Sequence, residues 1–216
     1  MNNVNVFDCL RNVAVVARKC PTPVLQTAYV TAVRDWCAQT RWLITTVPGM
    51  TTIGEQLYSL GAEPLLEIIG IKAMSITFSP SPSGPEQTLP VHVGDPESWN
   101  PNHQPSMPRA YAYVPEGQFS LFPVPDKVYT LTATVQISPT ENAREVPAIL
   151  MPKWSSVFEA GALSQLLAVP GEPWTNEREA DRYGRIFSSG VSNGKADTQR
   201  SYNTGAQRVR PRPFIY

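Results

Sequence analysis

Apolar residues recur at helical spacing at both ends of this chain and at strand spacing in its middle. From Val4 to Lys19, the residues Val6, Leu10, Val13, Ala14 and Ala17 share one face of a predicted helix, which Cys20-Pro21-Thr22-Pro23 ends sharply. A second helix is predicted from about Val24 to Arg41. There Leu25, Tyr29, Ala32, Trp36 and Cys37 keep the spacing, with Arg34, Asp35 and Arg41 among the polar positions. A short stiff turn between two amphipathic helices predicts that they lie roughly antiparallel.

At Trp42 the period changes. Leu43 to Val47 reads as a short strand, Pro48-Gly49 as a turn, Thr51 to Leu60 as a strand, and Leu65 to Phe78 as one or two strands. Residues 79–108 are proline-rich, from Ser79-Pro80-Ser81-Pro82-Ser83-Gly84-Pro85 through Pro90, Pro96, Pro101, Pro105 and Pro108. Proline supplies no ladder donor, so a long loop with at most one short segment is expected. Ala110 to Val114, Phe119 to Phe122 and Val128 to Ile137 then read as three antiparallel strands. In the last, Tyr129, Leu131, Ala133, Val135 and Ile137 alternate cleanly with mostly threonine. A linker, Ser138 to Leu150, follows.

From Pro152 to about Gln199 the helical period returns as a hairpin. Pro152 suits a first helical turn, and Trp154, Phe158, Ala162 and Leu166 recur at every fourth position. Val169-Pro170-Gly171-Glu172-Pro173-Trp174 is a stop, and Thr175 or Asn176 is a cap for the next helix, with Glu177, Glu179 and Asp181 near its positive end. Ala180, Tyr183, Gly184, Phe187 and Val191 mark its buried face, and Asp181 is placed to pair with Arg185. Gly161 and Gly184 are costly inside helices, which implies close helix packing at those points.

The fold class expected is therefore α+β. Residues 1–41 and 148–199 form a helical bundle from both chain ends, residues 42–147 an inserted antiparallel β module with the loop 79–108, and residues 200–216 an extended basic arm. After Asp197 no acidic residue remains, while Arg200, Arg208, Arg210 and Arg212 do, and the chain ends Phe214-Ile215-Tyr216. Such an arm suits docking on a partner: arginines on carboxylates or carbonyls, the apolar end in a notch. A frayed terminus is the plainer reading of the same composition.

Composition adds little that contradicts this. The 18 basic and 18 acidic residues balance, so no global charge points to nucleic acid or membrane. Only 17% of residues are charged, against about a quarter in typical domains, and there are 22 prolines. Together these suggest a surface that partly meets other protein chains. No apolar run reaches membrane-span length and no secretory layout opens the chain. Three cysteines, Cys9, Cys20 and Cys37, without CxxC spacing read as buried thiols from a reducing compartment such as a cytoplasm.

Candidate chemistry is sparse. His92 and His103 lie in the proline-rich loop, away from cysteines or paired carboxylates, so no metal spacing appears. Ser192 lies in a Gly-x-Ser-x-Gly match, Gly190-Val191-Ser192-Asn193-Gly194, but inside the predicted helix rather than at a strand-to-helix elbow, and a phosphate-binding Walker loop and Gly-x-Gly-x-x-Gly are missing. Glu177 with Asp181 reads as helix-start electrostatics rather than an acid/base pair. Trp36, Trp154 and Trp174 read as core or turn anchors. Trp99, in the loop with His103, reads as an exposed contact residue. No catalytic, cofactor or metal site is assigned, and an enzyme is not expected.

Three stretches carry a resemblance. They are Tyr113-Val114-Pro115-Glu116-Gly117-Gln118-Phe119-Ser120-Leu121-Phe122-Pro123-Val124-Pro125, then Pro152-Lys153-Trp154 leading into Glu159-Ala160-Gly161-Ala162-Leu163-Ser164-Gln165-Leu166-Leu167, and Pro170-Gly171-Glu172-Pro173-Trp174-Thr175-Asn176 followed by Ala180, Tyr183 and Phe187. Their order resembles the head-to-tail adaptor (connector) proteins of tailed bacteriophages, although the loop 79–108 has no counterpart there. The resemblance implies a structural virion protein at the head-tail junction, a homo-oligomeric ring of twelve copies under the portal. Such a ring extends the DNA channel, lets double-stranded DNA pass without binding it specifically, and carries the tail nozzle or tube. It also implies that the arm, with Arg208, Arg210, Arg212, Phe214, Ile215 and Tyr216, docks on the portal. No cofactor and no membrane partner are implied. Another ring-forming tail or tail-completion protein shares the apolar, proline-rich style, and a cell-wall hydrolase is a remote third reading.

Overall fold

The computed structural model describes residues 2–61, 63–79, 85–100, 103–114 and 117–202, with Ser201 and Tyr202 as backbone only. The predicted first helix is broken in three. Residues Asn3–Asn5 form strand β1, because the Asn5 side chain accepts from the Phe7 amide (2.9 Å) and so caps a new helix there rather than continuing one. Helix α1 (Val6–Cys9) gives way at Leu10 to α2 (Arg11–Val16), and Val6, Leu10, Val13 and Ala17 are buried while Ala14 is not. Helix α3 (Thr22–Thr40) has proline in its first turn and ends at Arg41, whose left-handed backbone (φ 51°) lets its amide reach the Cys37 carbonyl.

The middle of the chain is a curled seven-stranded sheet in the order β2-β8-β4-β5-β6-β7-β3. Its strands are β2 (Ile44–Met50), β3 (Leu57–Ser59), β4 (Leu66–Phe78), β5 (Gln87–Val93), β6 (Ala110–Val114), β7 (Gln118–Phe122) and β8 (Thr130–Pro139). Several expectations fail here. Pro48-Gly49 is not a turn but part of β2, tolerated because β2 is an edge strand. Most of 51–60 is loop, with only Leu57–Ser59 extended. The stretch 79–108 is not simply a loop: it contributes β5, a whole strand with Pro90 inside it, and one 3-10 turn, Pro96–Ser98. Nor is the module purely antiparallel, since β5 and β6 run parallel (His92 opposite Ala110). Finally β6, β7 and β8 are no meander. β8 leaves β7 and inserts between β2 and β4, where Leu131, Ala133, Val135 and Ile137 are buried.

Bulges in β4 between Ile68 and Gly70 and between Ile71 and Ala73 supply the extra twist that curls the sheet. The residues 138–150 hold strand β9 (Glu145–Pro147), which pairs with β1 (Val4 opposite Val146) and so ties the chain start to the return path.

Helix α4 (Met151–Leu167) buries Trp154, Phe158, Ala162 and Leu166 as expected, and α5 (Glu177–Tyr202) packs along it. The Asn176 side chain accepts from the Glu179 amide (3.2 Å), and Thr175 braces the turn by bonding Val169 and Glu172. α5 pairs Glu179 with Arg182 rather than Asp181 with Arg185. It runs to Tyr202, so residues 200–202 of the expected arm are helical. Close approach occurs at Gly161, as foreseen, but not at Gly184, where an added Cβ would touch only Ser164 at 3.9 Å. Gly190 and Gly194, one turn apart on α5, are the tight positions. Val157 fills the space over the first, and Trp36 and Thr40 fill it over the second. Trp36 lies at the centre, 4.8 Å from Trp154 and 5.5 Å from Phe158 by ring centroid. The buried faces of helices and sheet form one continuous apolar cluster, with α3 resting on β8.

Candidate interaction surface

The chemistry of the described residues is that of packing. None of their histidine, cysteine, aspartate and glutamate side chains gather in threes to hold a metal ion, and no described helix is long and apolar enough to cross a membrane. The three cysteines are free, but only Cys37 is buried; Cys9 and Cys20 are half-buried at the helix connections, which corrects the expectation of three buried thiols. Burial pushes the Cys37 thiol up to about 12, and it raises Cys9 and Cys20 as well. The Cys9 thiol lies 3.7 Å from the Met151 sulfur, which the Tyr29 hydroxyl also approaches at 3.8 Å. Such soft contacts fill space and leave no nucleophile poised.

Exposed apolar side chains are the more informative feature. One group lies at the end of the sheet far from α3, where β2 finishes and β8 begins. Met50 is 72% exposed, Ile53 62%, Leu57 56% and Val128 59%. Backbone bonds hold these loops in place. The Gly54 amide donates to the Pro125 carbonyl and Thr51 to Tyr129, while Ser106 donates to Val124. Two connections, β2–β3 and β5–β6, therefore converge on the β7–β8 loop and form one crown with it. Below it the Tyr129 hydroxyl donates to Asp126 (2.6 Å), and burial, then this carboxylate, raise the phenol well above its ordinary value.

On the flank of this crown the structure brings together the two predicted contact residues. Trp99 stacks on Phe122 with centroids 5.2 Å apart and planes 11° from parallel, and His103 meets the same ring edge-on at 5.3 Å. Trp99 is half-buried rather than free, whereas His103 is exposed, with its Nδ1 2.8 Å from the Gln104 carbonyl. Phe122 was not singled out from sequence. Neither were Met50, Ile53, Leu57 and Val128, although apolar residues beside Pro48-Gly49 and Gly54 are a readable sign of an exposed apolar turn. The arm residues Arg208, Arg210, Arg212, Phe214, Ile215 and Tyr216 lie outside the described residues.

A second exposed apolar group sits on the helical side: Phe7, Val15 and Val16 on α1 and α2, Val24 at the start of α3, Ile149 before α4, and Val169 in the α4–α5 turn.

No curated protein matches the chain. A family model does, described as SU10 adaptor protein, and it spans residues 9–212. That span takes in helices α2 to α5, the whole seven-stranded sheet and most of the C-terminal segment. The chain belongs to the SU10 adaptor protein family, a family of phage head-to-tail adaptors.

Proposed function

We propose that this protein is a head-to-tail adaptor that assembles as a ring of twelve copies beneath the portal, extends the DNA channel and presents the platform on which the tail nozzle or tube is built. The observation that carries the reading is the family match over residues 9–212. In this reading the helices from both chain ends form a bundle facing the portal, the β module projects away from it, and the crown around Met50, Ile53, Leu57 and Val128 with Trp99 and His103 meets the tail or a neighbouring copy. Residues 208–216 form the arm that grips the portal. The protein is then a virion component made in the host cytoplasm, with a structural rather than a catalytic role.

Two physical points support it. A ring joined head to tail must hide two different surfaces on every subunit, and exposed apolar side chains occur on two separate parts of this one. Zero net charge also suits a channel that DNA must traverse without being held.

The test is a mass measurement of the purified chain alone and with its portal, repeated after deleting Thr204 to Tyr216. Formation of a closed ring on the portal, lost with the deletion, is the expected result. Growth of the chain alone into long tubes would instead identify a tube protein, and binding indifferent to the deletion would overturn the role of the arm.

A further inference from the structure

Strand β2 has one open side. The Ile137 amide donates to the Leu43 carbonyl and the Thr51 amide to the Tyr129 carbonyl, and between them the register with β8 is unbroken. Alternation therefore turns the backbone groups of Thr45, Val47 and Gly49 toward β8 and those of Ile44, Thr46, Pro48 and Met50 away from it. The outward amides of Ile44, Thr46 and Met50 make no hydrogen bond among the described residues. Their side chains lie on the exposed face of the strand, Ile44 at 37% and Met50 at 72% exposure. An unpaired edge of seven residues is a template for another strand.

Helix α5 ends nearby. Helices α3 and α5 run side by side in the same direction: Trp36 bonds the Gly190 carbonyl, and the Thr198 hydroxyl donates to the Thr40 carbonyl at 3.0 Å. β2 starts four residues after Thr40, and α5 ends four residues after Thr198. The C-terminal segment thus departs from beside the start of β2. Residues 203–207 span up to about 17 Å when extended, ample to reach the edge, and 208–216 up to about 30 Å, ample to follow it.

We propose that the open edge of β2 is a docking site for residues 208–216 of the same chain, added as a parallel strand running from Ile44 toward Met50. The pattern of the segment fits one-sided pairing. Pro211 and Pro213 share a parity, so the donors they lack fall on one side of an extended strand, while Arg208, Arg210, Arg212 and Phe214 offer amides on the other. Parallel pairing places Val209, Pro211, Pro213 and Ile215 on the same face as Ile44, Thr46, Pro48 and Met50, which covers the exposed apolar side chains of β2. This is strand addition of the kind that extends exposed sheet edges elsewhere. It concerns the free chain and stands independently of portal docking, with which it would compete for the same segment.

Residue-resolved hydrogen exchange by NMR, without portal, tests it. The Ile44, Thr46 and Met50 amides should exchange at least about tenfold more slowly in the full chain than in one ending at Tyr202, and should do so equally after about a hundredfold dilution. Equal exchange in the two chains overturns the proposal. Protection that disappears on dilution overturns it too, by assigning the strand to a second copy. Should the shortened chain fail to fold, full-length variants decide: Arg212→Pro should release the edge, while Arg212→Ala and Ile215→Pro should not. Release by Ile215→Pro to the same extent would refute the parity on which the pairing rests. Portal binding by the full chain is measured separately, so either idea can fail alone.

Discussion

Gly190→Ala is the substitution whose sign the structure decides most clearly. Alanine exceeds glycine in helix propensity by about 1 kcal/mol, so on an open helix face the change stabilises. Gly184, on the same helix, is such a place, because the added Cβ meets only Ser164 at 3.9 Å. At Gly190 the new Cβ would lie 2.4 and 2.6 Å from the two γ-carbons of Val157 and 3.0 Å from its Cβ. A valine in a helix is held to essentially one rotamer, and its Cβ moves only with the backbone. Relief therefore requires α4 and α5 to separate. Overpacking of this kind costs about 1–3 kcal/mol, and three clashes at once place Gly190→Ala near the upper end. After the propensity gain, about 2 kcal/mol of destabilisation is left. For a chain of this size that lowers the melting midpoint by about 4–8 °C, whereas Gly184→Ala should raise it by about 2–4 °C. Thermal and urea unfolding followed by circular dichroism measure both. Val157→Ala removes the two γ-carbons, so the double variant should be less damaged than the sum of the singles by more than about 1 kcal/mol. A Gly190→Ala protein as stable as the parent, or strict additivity with Val157→Ala, would refute the packing argument.

Three further outcomes are expected. The Cys37 thiol keeps its proton in the folded state up to about pH 12, but the unfolded chain releases it above its ordinary value of 9.0. Between those values the unfolded state binds fewer protons, so stability should fall as pH rises, by up to about 1.4 kcal/mol per pH unit, and Cys37→Ala should flatten the slope of denaturant midpoint against pH. Deleting residues 87–93 removes the strand that joins β4 to β6; the strand signal in circular dichroism should fall and the protein should bind a hydrophobic dye, and a native-like deletion variant would contradict the observed topology. Trp99→Ala removes the stack on Phe122 and should cost about 0.5–1.5 kcal/mol beyond the lost burial, read from urea midpoints with the helical signal unchanged.

What sequence determined by itself is whatever depends on neighbours within a few positions. Proline in the first turn and the Pro170-Gly171 stop marked α4 and its end, and the spacing of Leu25, Tyr29, Ala32 and Trp36 marked α3. The alternation from Tyr129 to Ile137 announced β8 and the face it buries. The three stretches that resemble phage adaptors were legible for the same reason, being local packing motifs, while the family itself rests on the match over residues 9–212. Tertiary structure decided everything set by a distant partner. Nothing local tells β8 to insert between β2 and β4, or tells a proline-bearing segment that β4 and β6 leave room for it as β5. A helical glycine signals close approach, yet which glycine is crowded depends on Val157, Trp36 and Thr40 across the interface, so Gly190 and Gly194 are tight while Gly184 is open. The candidate crown brings together loops as much as seventy residues apart, because Gly54 donates to Pro125 and Thr51 to Tyr129 around one connection. Periodicity and turn chemistry are short-ranged; strand order and surface are settled by which buried faces match.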